Sequence, residues 1–192
     1  MIHDIVVDSR SCRSFDESKP IGREDLLDLI DTARLCPSAS NRQPLKYRLV
    51  YEKEEVEDLL TLTKWAGLLP DVKLPPDGHH PTAFLVVCCD TAVTEDVNSV
   101  RFDAGIVSQT MMLQATEVGF GGCIIGAFDP VEVSRHLLIP KKFKPVILLA
   151  FGVPDEMIMI CNPDKNGSTA YFRDKANVHF VPKRAREDII IE

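Results

Sequence analysis

The stretch Ser9-Arg10-Ser11-Cys12-Arg13-Ser14-Phe15 (SRSCRSF) sets two arginines among three hydroxyls, in a 192-residue chain whose formal net charge is -7. Ile2, Ile5 and Val6 precede it at the spacing of a short helix. After it, Leu26, Leu27, Ile30, Ala33 and Arg34 keep an amphipathic rhythm that predicts a helix from about Arg23 to Leu35, ended by Pro37. A cationic, hydroxyl-rich segment between two helices can cradle a phosphate through charge-assisted hydrogen bonds, each worth about 1.5–3 kcal/mol. Taken alone, it could as well be two solvated arginines.

The next polar stretch, Cys36-Pro37-Ser38-Ala39-Ser40-Asn41-Arg42-Gln43-Pro44, lies between that helix and a predicted strand, Leu45 to Tyr51. Its prolines stiffen a loop in which Ser38, Asn41 and Gln43 offer neutral donors and acceptors, suited to the edge of a planar heterocycle. Beyond it the pattern predicts a helix over Glu54–Thr63 and a buried strand over Ala83–Cys89. Lys64–Pro81, with four prolines and Trp65, is the longest irregular stretch and a candidate mobile wall. Phe102–Val118 reads as a central helix with Ala104, Val107, Met111, Ala115 and Val118 on one face. Residues 119–128 (GFGGCIIGAF) read as a glycine-rich turn entering a strand. Asp129-Pro130-Val131-Glu132 reads as a helix start, and Pro145–Val153 as a strand. The Ile189–Ile191 triplet is a terminal segment in want of a pairing partner. The sum is a mixed α/β architecture with one sheet, in a single unit spanning 1–192 with an excursion at about 64–82.

Composition narrows the function. The chain is 45% hydrophobic and 27% charged, a globular balance. Its acidity argues against nucleic acid, and no apolar run approaches the roughly 20 residues of a membrane helix. Met1-Ile2-His3-Asp4 lacks a cationic leader, and six cysteines without a Cys-x-x-Cys pair suit a reducing cytoplasm. GFGGCIIG fails as a dinucleotide fingerprint, because Ile124 stands where the third glycine belongs and a helix precedes it. There is no P-loop and no Gly-x-Ser-x-Gly. The five histidines show no metal-ligand spacing, and His79-His80 reads as a solvated loop pair.

Taken together, the two polar segments resemble the nitroreductase family of FMN-dependent oxidoreductases. Arg10–Phe15 matches that family's Arg-Arg-Ser-x-Arg-x-Phe pattern except for its first arginine, and Pro37–Pro44 matches Pro-Ser-x-x-Asn-x-Gln-Pro in full. GFGGCIIGAFD and the closing PKRAREDII are similar to later family segments. The resemblance implies an α+β fold: a central, mostly antiparallel sheet flanked by helices, with a C-terminal segment extending onto a partner subunit. It implies FMN at a homodimer interface. Ser9, Arg10, Ser11, Cys12 and Arg13 would meet its phosphate, ribityl chain and pyrimidine edge, with Arg13 near N1 and O2 and Cys12 as a spacer. Pro37, Ser38 and Ser40, with Asn41 and Gln43 of the same loop, would approach from the partner. Ile125 and Gly126 would lie beside the ring, and Lys183 and Arg184, or Arg186 in another register, at the phosphate.

By the same resemblance, NADH or NADPH gives a hydride to the flavin, and a small organic acceptor such as a nitroaromatic or quinone takes it in a ping-pong cycle. No acid–base side chain is required. A flavin-binding store or sensor without turnover is the alternative. Two departures stand out: Ser9 replaces the first arginine, and Leu45 stands where an aromatic is common.

Overall fold

The computed structural model describes all 192 residues. Its centre is the run Ala83–Asp90 (β2), in which every residue is buried. Such a run needs cover on both faces. Ala83, Leu85 and Val87 face one apolar cluster, and Phe84, Val86 and Cys88 face another. Leu26, Leu29 and Ala33 of α2 (Arg23–Ala33), with Ala104, Val107, Met111 and Ala115 of α4 (Arg101–Glu117), fill the first. Val56 and Leu59 of α3 (Lys53–Thr61) and Val133 of α5 (Pro130–His136) fill the second. A short α1 (Ile2–Asp8) opens the chain and buries no residue.

β1 (Leu45–Val50), β2, β4 (Phe143–Gly152) and β3 (Gly121–Ile125) form a sheet in the order β1-β2-β4-β3, antiparallel throughout. Pro145 cannot donate to this ladder. It is tolerated because the β2–β4 register shifts between Val87 and Cys88, so the proline sits at a bulge. Asp129 caps α5, its Oδ1 accepting from the N–H groups of Val131 (2.8 Å) and Glu132 (3.3 Å).

Three expectations change. The molecule has two sheets: β5 (Ile158–Cys161), β7 (His179–Pro182) and β6 (Phe172–Arg173) form a separate one, in the order β5-β7-β6. Val118 lies beyond α4 and is exposed, because the helix ends at Glu117 and Gly119 turns the chain with φ +86°. His79 and His80 are more than a solvated pair: His79 stays partly exposed and His80 is largely covered. Adjacent side chains diverge, and each finds an acid: His79 Nδ1 lies 2.7 Å from Asp155, and His80 Nδ1 lies 2.9 Å from Glu57.

Candidate functional site

The segment 9–15 is folded as a stripe beside β3. Ser11 bridges Gly122 in parallel, and the Cys12 N–H donates to the Gly122 carbonyl at 2.9 Å. Three glycines are close-packed here, and two of them, Gly121 beside Cys12 and Gly152 beside Phe15, let this stripe approach. A Cβ on Gly121 would meet Pro154 at 2.6 Å, one on Gly122 would meet the Ala150 carbonyl at 2.5 Å, and one on Gly152 would meet the Phe15 ring at 2.7 Å. Phe15 is fully buried there and anchors the stripe, while its N–H donates to His79 O at 3.1 Å.

Along the stripe the side chains divide by role. Ser9 Oγ donates to Met112 O at 3.4 Å, near the C-terminal end of α4. Arg10 is half-buried, and its Nε has no acceptor. Ser11 is exposed. Cys12 is buried, its thiol donating to Ser14 O at 3.1 Å; burial first, then the Glu156 charge, pushes it up to about 12. A thiol held so far up is a poor nucleophile at neutral pH. Arg13 is buried, with Nη1 donating to Ser11 O at 3.3 Å and to His179 Nε2 at 3.1 Å, and with Nε unpartnered. Ile125 and Gly126 close the end of β3. Ile125 is buried, Gly126 is exposed, and nothing lies within 4 Å of where a Gly126 Cβ would stand.

The 64–81 excursion spans this end of the molecule. Thr63 bridges Phe128, and the Lys64 N–H donates to Ala127 O at 2.9 Å, just past Gly126. At its far end His79 O receives the Phe15 N–H. Trp65 is half-buried, its indole N–H donating to Thr63 Oγ1 at 2.7 Å.

The loop of residues 37–44 lies elsewhere. Ser38 Oγ donates to Asp103 Oδ2 at 2.6 Å, and the Ala39 N–H donates to Asp103 Oδ1 at 3.3 Å, so buried Asp103 ties the loop to the N-terminal end of α4. From Asp103 to Met112 the helix rises about 13 Å, so this loop and Ser9 occupy opposite ends of α4. Ser40, Asn41 and Gln43 all have positive φ (52°, 53° and 50°), a left-handed conformation costly for non-glycine residues. All three are exposed, and Gln43 Nε2 is turned inward onto Asn41 Oδ1 at 3.1 Å.

Lys183, Arg184 and Arg186 are exposed. Arg186 pairs with Glu187 at 3.1 Å, whereas Lys183 and Arg184 form no ion pair within the chain. They follow β7, whose start at His179 touches Arg13. Lys183 is four residues further on, about 13 Å along an extended strand, so one protomer does not gather the basic segment around Arg13. Ile190 and Ile191 are exposed and pair with nothing in the chain.

Sequence reasoning missed the residues around Arg13. Tyr171, Arg173, His179 and Glu156 surround it, brought there by the second sheet. No apolar periodicity marks strands of two to four residues. The one usable signal was a run of aromatic and basic residues, Tyr171-Phe172-Arg173 and His179-Phe180.

Buried guanidinium nitrogens without acceptors, a glycine-lined strand end and a strained polar loop are features that suit an anionic or electron-rich organic ligand. None of the serines or cysteines of the stripe is bonded to a histidine, so it carries no nucleophile–base pair. The chain belongs to the nitroreductase family, which it matches over residues 6–153. It is 28% identical over 169 residues to the FMN reductase [NAD(P)H] of Bacillus subtilis, covering 78% of this chain and 64% of that one. To the oxygen-insensitive NADPH nitroreductase of Helicobacter pylori it is 26% identical over 174 residues, covering 74% and 82%. The crystal structure of a nitroreductase family protein from Streptococcus pneumoniae superposes with a TM-score of 0.69 at 20% identity, over the full length of both chains. The family match ends at residue 153, so the second sheet and the PKRAREDII segment lie outside it.

Proposed function

We propose that this chain is an NAD(P)H-dependent, FMN-containing oxidoreductase of the nitroreductase type, acting as a homodimer on a small organic acceptor. The observation that carries the reading is Arg13. It is a guanidinium buried to 9% exposure with no carboxylate partner and an Nε lacking any acceptor. A buried cation left incomplete by its own protein is costly. A ligand with phosphate oxygens at one end and an electron-rich carbonyl edge at the other suits the unpartnered donors of Arg10 and Arg13, and the open space at Gly126 suits a flat ring.

In this reading Ser9, Arg10 and Ser11 hold the phosphate and sugar-alcohol end, while Arg13 faces the pyrimidine edge. Ile125 and Gly126 flank the ring. Pro37, Ser38, Ser40, Asn41 and Gln43 come from the partner, since they sit at the opposite end of α4 and a two-fold pairing of α4 brings opposite ends together. The exposed side of α4 carries Phe102 and Ile106, which such a pairing would cover. Lys183 and Arg184, free of intrachain acids, supply the cation that Ser9 withholds. When bound, FMN supplies hydride acceptance from the nicotinamide and delivery to the acceptor. The protein's part is charge and access. Arg13 stabilises negative charge at the pyrimidine edge, a fixed cation needing no reorganisation. The 64–81 loop, hinged at Ala127 and Phe15, bounds the face on which nicotinamide and acceptor alternate. No side chain is asked to move a proton.

The test is equilibrium titration of flavin-free protein with FMN. One FMN per protomer is expected, with Arg13→Ala binding at least tenfold more weakly. Protein that takes up no FMN would contradict the reading, and unchanged affinity in Arg13→Ala would remove that residue from the site.

A further inference from the structure

The family match stops at residue 153, yet the chain beyond that point is packed onto Arg13, the residue on which the site turns. Arg13 lies with its guanidinium carbon 5.0 Å over the Tyr171 ring. Its Nη1 donates to His179 Nε2, and the Tyr171 and His179 rings are 5.4 Å apart. Glu156 links the two arginines: one carboxylate oxygen accepts the Arg13 backbone N–H, and the other pairs with the buried Arg173 guanidinium. Tyr171 has a second attachment, since its hydroxyl accepts the Leu68 N–H at 3.2 Å, in the 64–81 loop.

The charges do not balance. Two guanidinium groups share one carboxylate, and Arg173 takes the side-chain pairing, so Arg13 keeps an uncancelled positive charge. An imidazole that accepts from an arginine is neutral and carries its proton on Nδ1. His179 therefore orients Arg13 without neutralising it, and the Tyr171 ring does the same through its face. A carboxylate in either place would pair with the guanidinium and cancel the charge.

We propose that residues 156–182 form a brace for the cationic end of the site, in which Tyr171 and His179 are positioning residues that hold Arg13 oriented and uncancelled, and Tyr171 ties it to the 64–81 loop. This rests on the proposed flavin site, and it assigns the tuning of that site to residues beyond the span of the family match. The brace acts through Arg13, whose charge favours the reduced, more negative cofactor over the oxidised one. Loosening Arg13 should therefore weaken binding of reduced FMN more than of oxidised FMN.

The test uses the full chain. FMN affinity is measured by titration and the midpoint potential of bound FMN by equilibration with a redox dye, for wild type, His179→Leu, His179→Gln, Tyr171→Leu and Tyr171→Phe. His179→Leu and Tyr171→Leu should weaken the reduced form at least tenfold relative to the oxidised form, lowering the two-electron potential by about 30 mV. His179→Gln, which keeps an acceptor for Arg13, should restore most of that shift. Tyr171→Phe should keep the potential but speed tryptic cleavage at Lys64 and Lys73 of the loop. Wild type that binds no FMN overturns the flavin site and the brace together. Wild type that binds FMN, with His179→Leu and Tyr171→Leu at the wild-type potential, overturns the brace alone. A shift in His179→Leu that His179→Gln fails to restore assigns His179 to packing and also overturns it.

Discussion

Gly152→Ala tests how the cationic stripe is anchored. A methyl group there would stand 2.7, 2.9 and 3.0 Å from three carbons of Phe15, where ordinary contact begins at 3.4 Å. The ring would have to withdraw by about 0.7 Å at its closest atom. It has nowhere to go. Phe15 is fully buried, its N–H is bonded to His79 O at 3.1 Å, and the next residue, Asp16, is bonded to Val153 O at 2.9 Å. Overpacking of this kind costs about 1–3 kcal/mol. For a chain of this size each kcal/mol lowers the melting temperature by about 2–4 °C, so a fall of about 2–12 °C is expected. Because Phe15 lies two residues from Arg13, FMN affinity should fall with it. The control is Gly126→Ala, where nothing lies within 4 Å. That variant should melt like wild type yet bind FMN more weakly, since the added methyl occupies space assigned to the ring. Thermal melting of flavin-free protein by circular dichroism, combined with FMN titration, reads both. A Gly152→Ala protein that melts within about 1 °C of wild type and binds FMN normally would refute the anchoring argument.

Particular contacts give three further expected outcomes. His179 is held down at about 4 by burial, then by the charges of Arg13 and Arg173, whereas a free imidazole titrates near 6.5. Between those values the unfolded chain binds a proton that the folded chain does not. Stability should therefore fall as pH drops from about 6.5 to 4, by at most about 1.4 kcal/mol per unit from this group, and urea midpoints of His179→Gln should show a correspondingly shallower acid limb. Asp103→Ala leaves the Ser38 hydroxyl and the Ala39 N–H without their acceptor, which should cost about 1–3 kcal/mol in urea unfolding; an unchanged midpoint would mean that Asp103 does not hold the loop. Ile106→Arg, on the exposed side of α4, should shift gel-filtration elution from dimer to monomer and weaken FMN binding together; a dimer that persists would move the interface elsewhere.

The legible parts of the sequence were those fixed by local pattern. Leu26, Ala33, Val107 and Met111 carry helix periodicity, and Ala83–Asp90 is a nearly unbroken apolar run, so α2, α4 and β2 fall where periodicity puts them. Asp129-Pro130 announces α5 by its cap. Arg10, Ser11 and Arg13 stood out as a cationic, hydroxyl-rich segment, and only the family resemblance gave them a ligand. The environment of Arg13 was not legible, because it is made by contacts such as Arg13 to Glu156 and Arg13 to His179, which join residues 143 and 166 positions apart. The parallel pairing of β5 with β7 leaves no local trace either, since nothing near Ile158 says that it will lie beside His179. The partners of His79-His80 were hidden for a related reason: nothing local in a proline-rich stretch shows that the chain will bring Asp155 and Glu57 to them.

The central claim is that Arg13 and its neighbours hold a flavin that this chain uses for turnover. The direct measurement is an anaerobic spectral titration of the FMN-loaded protein, first with NADH or NADPH and then with a quinone or nitroaromatic. The account predicts flavin absorption bands that bleach with at least one nicotinamide and return with the acceptor, more slowly or less completely in Arg13→Ala. Bound FMN that neither nicotinamide bleaches would contradict it, and would leave a flavin store in place of an oxidoreductase.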